Sequence, residues 1–91
     1  MIASFRDRET KKVWNGEFSR KLPGNIQEAA LTKLRLLSAA VRLENLKVPP
    51  GSKLEMLKGD RKVQHSINRQ WRICFQWSGG NAHRVEIVDY H

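Results

Sequence analysis

The sequence predicts an α+β domain in which two N-terminal helices pack on one face of a small, mainly antiparallel sheet. Three observations lead there. Apolar residues in the first half recur at helical spacing, and those in the second half alternate. Between the two regimes stands Pro49-Pro50-Gly51-Ser52, a stiff link that neither a helix nor a central strand accommodates.

The elements follow in chain order. Ile2 and Phe5 mark a short edge strand. Asp7 to about Phe18 reads as a polar helix with Trp14 and Phe18 paired one turn apart, weakened in its last turn by Gly16. Pro23-Gly24 is a break, and Asn25 with Glu28 three residues later has the pattern of a capping box. Ile26, Ala30, Leu34, Leu37 and Val41 then trace one helical face, with Gln27, Glu28, Lys33, Arg35 and Arg42 pointing elsewhere. This helix must end before Pro49. In the second half, Leu54 and Met56 oppose Glu55 and Leu57, and Val63, His65 and Ile67 oppose Gln64, Ser66 and Asn68. Trp71, Ile73, Phe75 and Trp77 share one face, leaving Arg72, Cys74 and Gln76 on the other. Ser78-Gly79-Gly80-Asn81 is a hairpin turn, after which Val85 and Ile87 alternate with Arg84, Glu86 and Val88.

Ninety-one residues suffice for one domain, residues 1–91, with a single modest core. A hydrophobic share of 40% and three Trp fit a folded globule better than a disordered tail. The 17 Lys+Arg against 9 Asp+Glu give a net charge of +8. Such a balance favours a polyanionic partner, nucleic acid or a ribosomal surface, over a charge that serves solubility alone or meets an acidic protein. The cations are spread along the chain, so any binding face must be assembled by the fold.

Cys74 is the one cysteine, which excludes an internal disulfide and a cysteine-clustered zinc site. A packed thiol in a reducing cytosol, hence a cytoplasmic protein, is the expectation. No apolar run approaches a membrane span, and the N-terminus lacks a signal-peptide core, so no membrane partner is expected.

The second half also carries the chemistry. Asp89-Tyr90-His91 brings together three groups that exchange or accept protons, after an apolar strand-like run. Metal-free RNA cleavage needs a base for the 2′-OH, an acid for the 5′-oxygen and cations for the phosphoryl oxygens. His91 is the proton-transfer candidate. Asp89, two residues away on an extended strand, would share its face and orient or charge the imidazole. Tyr90 would need a twist at the strand end to join them, as a base-stacking group or proton carrier. Arg72 lies opposite the Trp71 face and would be open to a phosphate if the helices cover that face. Lys58 and Arg61, around a Gly59-Asp60 turn, are phosphate-contact candidates. Glu55 is a base or positioning carboxylate, or equally a surface carboxylate paired with Lys53 or Arg72. His65 and His83 read as structural, and the three His have no metal-ligand spacing, so neither metal nor cofactor is expected.

The segment Leu54, Leu57-Lys58-Gly59-Asp60-Arg61, then Ser66-Ile67, Trp71-Arg72-Ile73-Cys74-Phe75 and Val85-Glu86-Ile87-Val88-Asp89-Tyr90-His91 resembles HigB toxins of the RelE superfamily. The likeness spans the whole length and is most specific after Leu54. It implies a RelE-like, microbial-ribonuclease-like fold. It implies an endoribonuclease, an mRNA interferase cleaving in the ribosomal A site, with Arg72 as the transition-state cation. It also implies neutralisation by a HigA-type helix-turn-helix antitoxin, whose complex with the toxin reaches operator DNA. Two departures stand out: Glu55 occupies a position where some relatives carry a catalytic His, and the hairpin at 67–70 is about two residues shorter, which leaves Arg69 as the substitute for an arginine relatives place there. A catalytically weak or inactive ribosome-binding protein of the same fold, or an antitoxin-bound co-repressor subunit, are the alternatives.

Overall fold

The computed structural model describes residues 1–42, 54–56, 62–67 and 70–89, with the backbone alone at 54–56, 62 and 64–66. Helices α1 (Arg8–Trp14) and α2 (Gly24–Ala39) precede strands β1 (Leu54–Met56), β2 (Lys62–Ser66), β3 (Trp71–Ser78) and β4 (Asn81–Asp89). The strands form one antiparallel sheet in the order β1-β2-β3-β4, so each is hydrogen-bonded to its neighbour in sequence. The α+β expectation, helices first and sheet second, holds. Among the described residues no helix is long and apolar enough to cross a membrane.

The expected N-terminal edge strand is a pair of parallel bridges, Ile2 to Ala82 and Phe5 to Val85. Backbone bonds from Ala3 N–H to Ala82 O (2.7 Å) and from Arg6 N–H to Val85 O (2.9 Å) hold this segment along the outer edge of β4. An unprotected edge would otherwise offer unpaired donors and acceptors to other chains.

Helix α1 begins where the Asp7 carboxylate accepts the Thr10 N–H at 2.7 Å. It ends sooner than Phe18. The chain leaves it at Asn15, and Gly16 follows at φ +80°, a left-handed conformation that closes helices at little steric cost. Phe18 is therefore not stacked one turn below Trp14; it is 68% exposed, and Trp14 packs on Phe5 instead, with ring centroids 6.4 Å apart.

Helix α2 departs from expectation at both ends. Pro23 is its N-cap and supplies no side-chain bond, so Asn25 is an ordinary first-turn residue and not half of a capping box. Proline at this boundary has φ −56°, already close to helical. At the other end the helix stops at Ala39, ten residues before Pro49. Ala40 turns inward into the core and Val41 is exposed. The remaining stripe behaves as its period predicts: Ile26, Ala30, Leu34 and Leu37 are buried. Gln27, expected to face away, is buried too. Its Oε1 accepts the Ser19 N–H at 2.9 Å, and its Nε2 donates to Ser19 O (2.7 Å) and Leu22 O (2.9 Å). One amide thus satisfies three backbone groups of the connecting loop, which explains a buried polar side chain. Ser19 Oγ in turn donates to Glu9 on α1 at 2.6 Å. That bond, with the charges of Lys12, Lys21 and Arg8, holds the Glu9 carboxyl below its ordinary pKa. The contribution is present above the ordinary Glu range and is lost as pH falls through the lowered value.

In the sheet, Ile73 and Phe75 are buried while Arg72, Cys74 and Gln76 are half-buried. The apolar face meets α2, and the core comprises Leu34, Leu37, Val63, Ile73, Phe75, Val85 and Ile87 with their smaller neighbours. Gly79 and Gly80, at φ +60° and +78°, make the two-residue turn between β3 and β4. Positive φ at both central positions gives a turn whose twist matches the strands it joins. Cys74 pairs with Glu86 but Gln76 with His83, so β4 carries one extra residue. Arg84, at φ +53°, sits at this bulge, which brings Ala82 and Val85, three apart, to the same buried face.

The Pro49–Ser52 link, the Leu57 position and the Gly59-Asp60 turn lie outside the described residues. Leu34 has no exposed surface. Leu34→Ala is expected to lower unfolding free energy by about 2–5 kcal/mol, read as an earlier midpoint in urea denaturation.

Candidate active site

The register places three of the candidate residues, Glu55, Arg72 and Asp89. Trp71 pairs with Asp89, and Arg72 pairs with Ser66 on one side and Val88 on the other. Arg72 and Asp89 thus lie at one end of the sheet, where β3 starts and β4 ends. Residues directly opposite one another project to the same face. Arg72 therefore leaves the sheet with Val88, away from α2. Asp89 leaves in the phase of Trp71 and Ile87 and is exposed at the strand end.

The sheet does not bring the arginine and this carboxylate onto one face. The expectation that Arg72 lies opposite the helix-covered face holds. The Arg72 guanidinium folds back along β3, where Nη1 donates to Trp71 O at 3.2 Å. The same carbonyl accepts the Ile67 N–H at 3.0 Å and closes the β2–β3 hairpin.

Glu55 occupies the cross-strand row Glu55–Gln64–Cys74–Glu86. On β3 that row is two residues from Arg72, one pleat repeat further into the sheet. Position 65 falls in the cross-strand row of Leu54, Ile73 and Ile87. His83 sits beside the tight turn, with Nε2 3.2 Å from Ser78 O, a structural role. Glu86 forms an ion pair with Arg6, 3.1 Å from Nε. Cys74 is a half-buried thiol on the face of Arg72 and is in no disulfide. Tyr90, His91, Lys58, Arg61 and Arg69 lie outside the described residues. Met56 and Lys62, the strand residues that flank Lys58 and Arg61 in sequence, are at the sheet end away from Asp89.

Reasoning from sequence missed Thr10 and Ser4. Their hydroxyls accept β4 backbone N–H groups, from Ile87 at 3.0 Å and from Arg84 at 2.9 Å. Nothing in local periodicity signals either bond, since both join residues about eighty apart. The bulge did leave a trace, the odd spacing of Ala82 and Val85.

Fold and site together define a class: a small basic α+β domain, helices on one sheet face, an arginine on the other, a carboxylate at the same sheet end. Comparison with known proteins narrows it. The family model of RelE-like toxins of the type II toxin–antitoxin system HigB matches residues 3–91. The toxin HigB-1 of Vibrio cholerae is 35% identical over 85 residues, covering 90% of each chain. The endoribonuclease HigB of Proteus vulgaris is 30% identical over 93 residues and covers both chains completely. An uncharacterised protein of Haemophilus influenzae is 26% identical over 86 residues, 91% of this chain and 85% of its own. The chain belongs to the HigB family of RelE-like toxins.

Arg72→Lys keeps the charge and loses the planar fork, and Arg72→Ala loses both. If Arg72 binds the phosphoryl oxygens, RNA cleavage should fall by about 10²–10³ in kcat for Arg72→Ala, with an intermediate loss for Arg72→Lys, measured in single-turnover cleavage.

Proposed function

We propose that this chain is an endoribonuclease that cuts mRNA in the ribosomal A site without a metal, and that a HigA-type helix-turn-helix antitoxin holds it inactive. The observation that carries the reading is the shared sheet end. Arg72 opens β3 beside the end of β4, and the sequence continues from Asp89 directly into Tyr90-His91. Membership of a toxin family and the name of the Proteus vulgaris relative support the same class of activity.

The reaction begins when a base takes the 2′-OH proton and the oxygen attacks the adjacent phosphorus. The 5′-oxygen then leaves with a proton from an acid, giving a 2′,3′-cyclic phosphate and a 5′-OH. Negative charge grows on the non-bridging oxygens in between, and Arg72 meets it with paired N–H donors. Imidazole, with an ordinary pKa of about 6.5, suits His91 to proton transfer near neutrality. Asp89, which leaves β4 on the other face from Arg72, has the role of orienting or charging the imidazole. Glu55 is the second candidate base, and Tyr90 a stacking or proton-carrying group. Lys58, Arg61 and Arg69 contribute phosphate contacts, which set position and not sequence. The net charge of +8 draws the protein to the ribosome and its RNA. Operator DNA is reached only through the antitoxin complex, and the setting is the cytoplasm.

One observation favours a second reading, a ribosome-binding protein that does not cut: Arg72 and Asp89 project to opposite faces. Primer extension on a translated mRNA in a reconstituted system separates the two. Codon-phased cuts that require ribosomes and vanish in His91→Ala are the expected result. Folded protein that binds ribosomes and leaves the mRNA whole establishes the second reading.

A further inference from the structure

We infer that Thr10 is a positioning residue for the reaction: its hydroxyl fixes the last part of β4 and, through it, Asp89. The inference rests on the ribonuclease reading above.

The outer edge of β4 is held by one partner up to Val85 and by another beyond it. The N-terminal segment serves the first part. Ala82 N–H donates to Met1 O at 2.8 Å, Arg84 N–H to Ser4 Oγ at 2.9 Å, and Val85 N–H to Ser4 O at 3.0 Å. After Arg6 the N-terminal chain turns into α1 at Asp7, and its ladder with β4 stops. Ile87 N–H, two residues past Val85, faces the same edge. Thr10 Oγ1 accepts it at 3.0 Å. A side-chain hydroxyl thus carries the ladder one step further.

The bond is buried at both ends, with Thr10 1% and Ile87 7% exposed. A buried N–H without an acceptor is strongly unfavourable, so β4 has a defined position against α1. The hydroxyl is itself fixed. The Asp7 carboxylate caps the Thr10 N–H at 2.7 Å, and Val13, one turn on, is anchored in the core. Threonine is also stiff about its first side-chain torsion.

Ile87 is two residues from Asp89, about 7 Å along a strand. On the inner edge, β3 holds the same stretch through Arg72 opposite Val88 and Trp71 opposite Asp89. The Arg6–Glu86 ion pair near this end of β4 is partly exposed and screened, and so is a weaker tie than the buried Thr10 bond. Proton-transfer groups tolerate little displacement; about 1 Å can cost about a hundredfold in rate.

Thr10→Val keeps the shape and removes the acceptor, while Thr10→Ser keeps the acceptor and trims a methyl. Ribosome-dependent cleavage is measured for both beside wild type, with ribosome affinity, thermal melting and amide exchange at Ile87. For Thr10→Val we expect kcat to fall about 10- to 100-fold with KM unchanged, and faster exchange at Ile87 with exchange at Ile73 unaltered. Thr10→Ser should cleave within about threefold of wild type, as expected of a site that needs only the acceptor. Full cleavage by Thr10→Val, equal losses in the two variants, or a loss confined to KM or tracking the fraction unfolded each overturns the inference while leaving the ribonuclease reading intact. Wild-type protein that cuts nothing overturns that reading and the inference with it.

Discussion

Strand β4 meets β3 on one edge and requires a second set of partners on the other. The N-terminal segment supplies them in parallel, from Met1 to Arg6, and the rest of the structure depends on this pairing. It joins the two ends of the described chain and fixes where α1 starts. It also absorbs the bulge, because the Ser4 hydroxyl takes the Arg84 N–H that the kink turns outward. A non-glycine residue in the left-handed region costs about 1–2 kcal/mol. The strain is offset by burial of Ala82 and Val85 on one face, which an unbulged strand would send to opposite faces.

From this edge the division of labour across the sheet follows. Alternation sends Ile73, Phe75, Val85 and Ile87 toward α2, where they join Leu34 and Leu37 in a core with almost no exposed surface. The same alternation sends Arg72, Cys74 and Gln76 the other way. The core and the Arg72 side chain therefore occupy opposite sides of the same strands. A toxin domain with one small core gains from this arrangement, because residues on the Arg72 face can change without opening cavities in the core.

The fold class was legible in the sequence because two periods, helical and alternating, occupy separate halves. The stripe Ile26, Ala30, Leu34 and Leu37 and the strand Ile73, Phe75 could be read directly, since burial imposes the period. Helix ends could not. Asn25 and Glu28 have the spacing of a capping box, but the preceding proline took the cap. Val41 has the right spacing for the stripe, but the helix had already ended at Ala39. Gln27 shows the limit of reading polar residues as solvent-facing: its amide is buried because a loop eight residues away needs its three hydrogen bonds. For the site, alternation puts Arg72 opposite the Trp71 face, and so away from the helices once that face is the covered one. The relation of Arg72 to Asp89 does not, because it depends on how β3 and β4 are registered, and a one-residue slip would reverse it.

The central claim is that the sheet face bearing Arg72 and Cys74 is the face that meets RNA. Cys74 is the one cysteine, so a short photo-crosslinker can be attached there without further change. In a ribosome–mRNA complex, crosslinks from Cys74 to the mRNA are predicted. None are predicted from a Cys74→Ser, Arg35→Cys protein, which carries the same probe on the exposed side of α2. Messenger crosslinks from position 35 with none from position 74 would contradict the account.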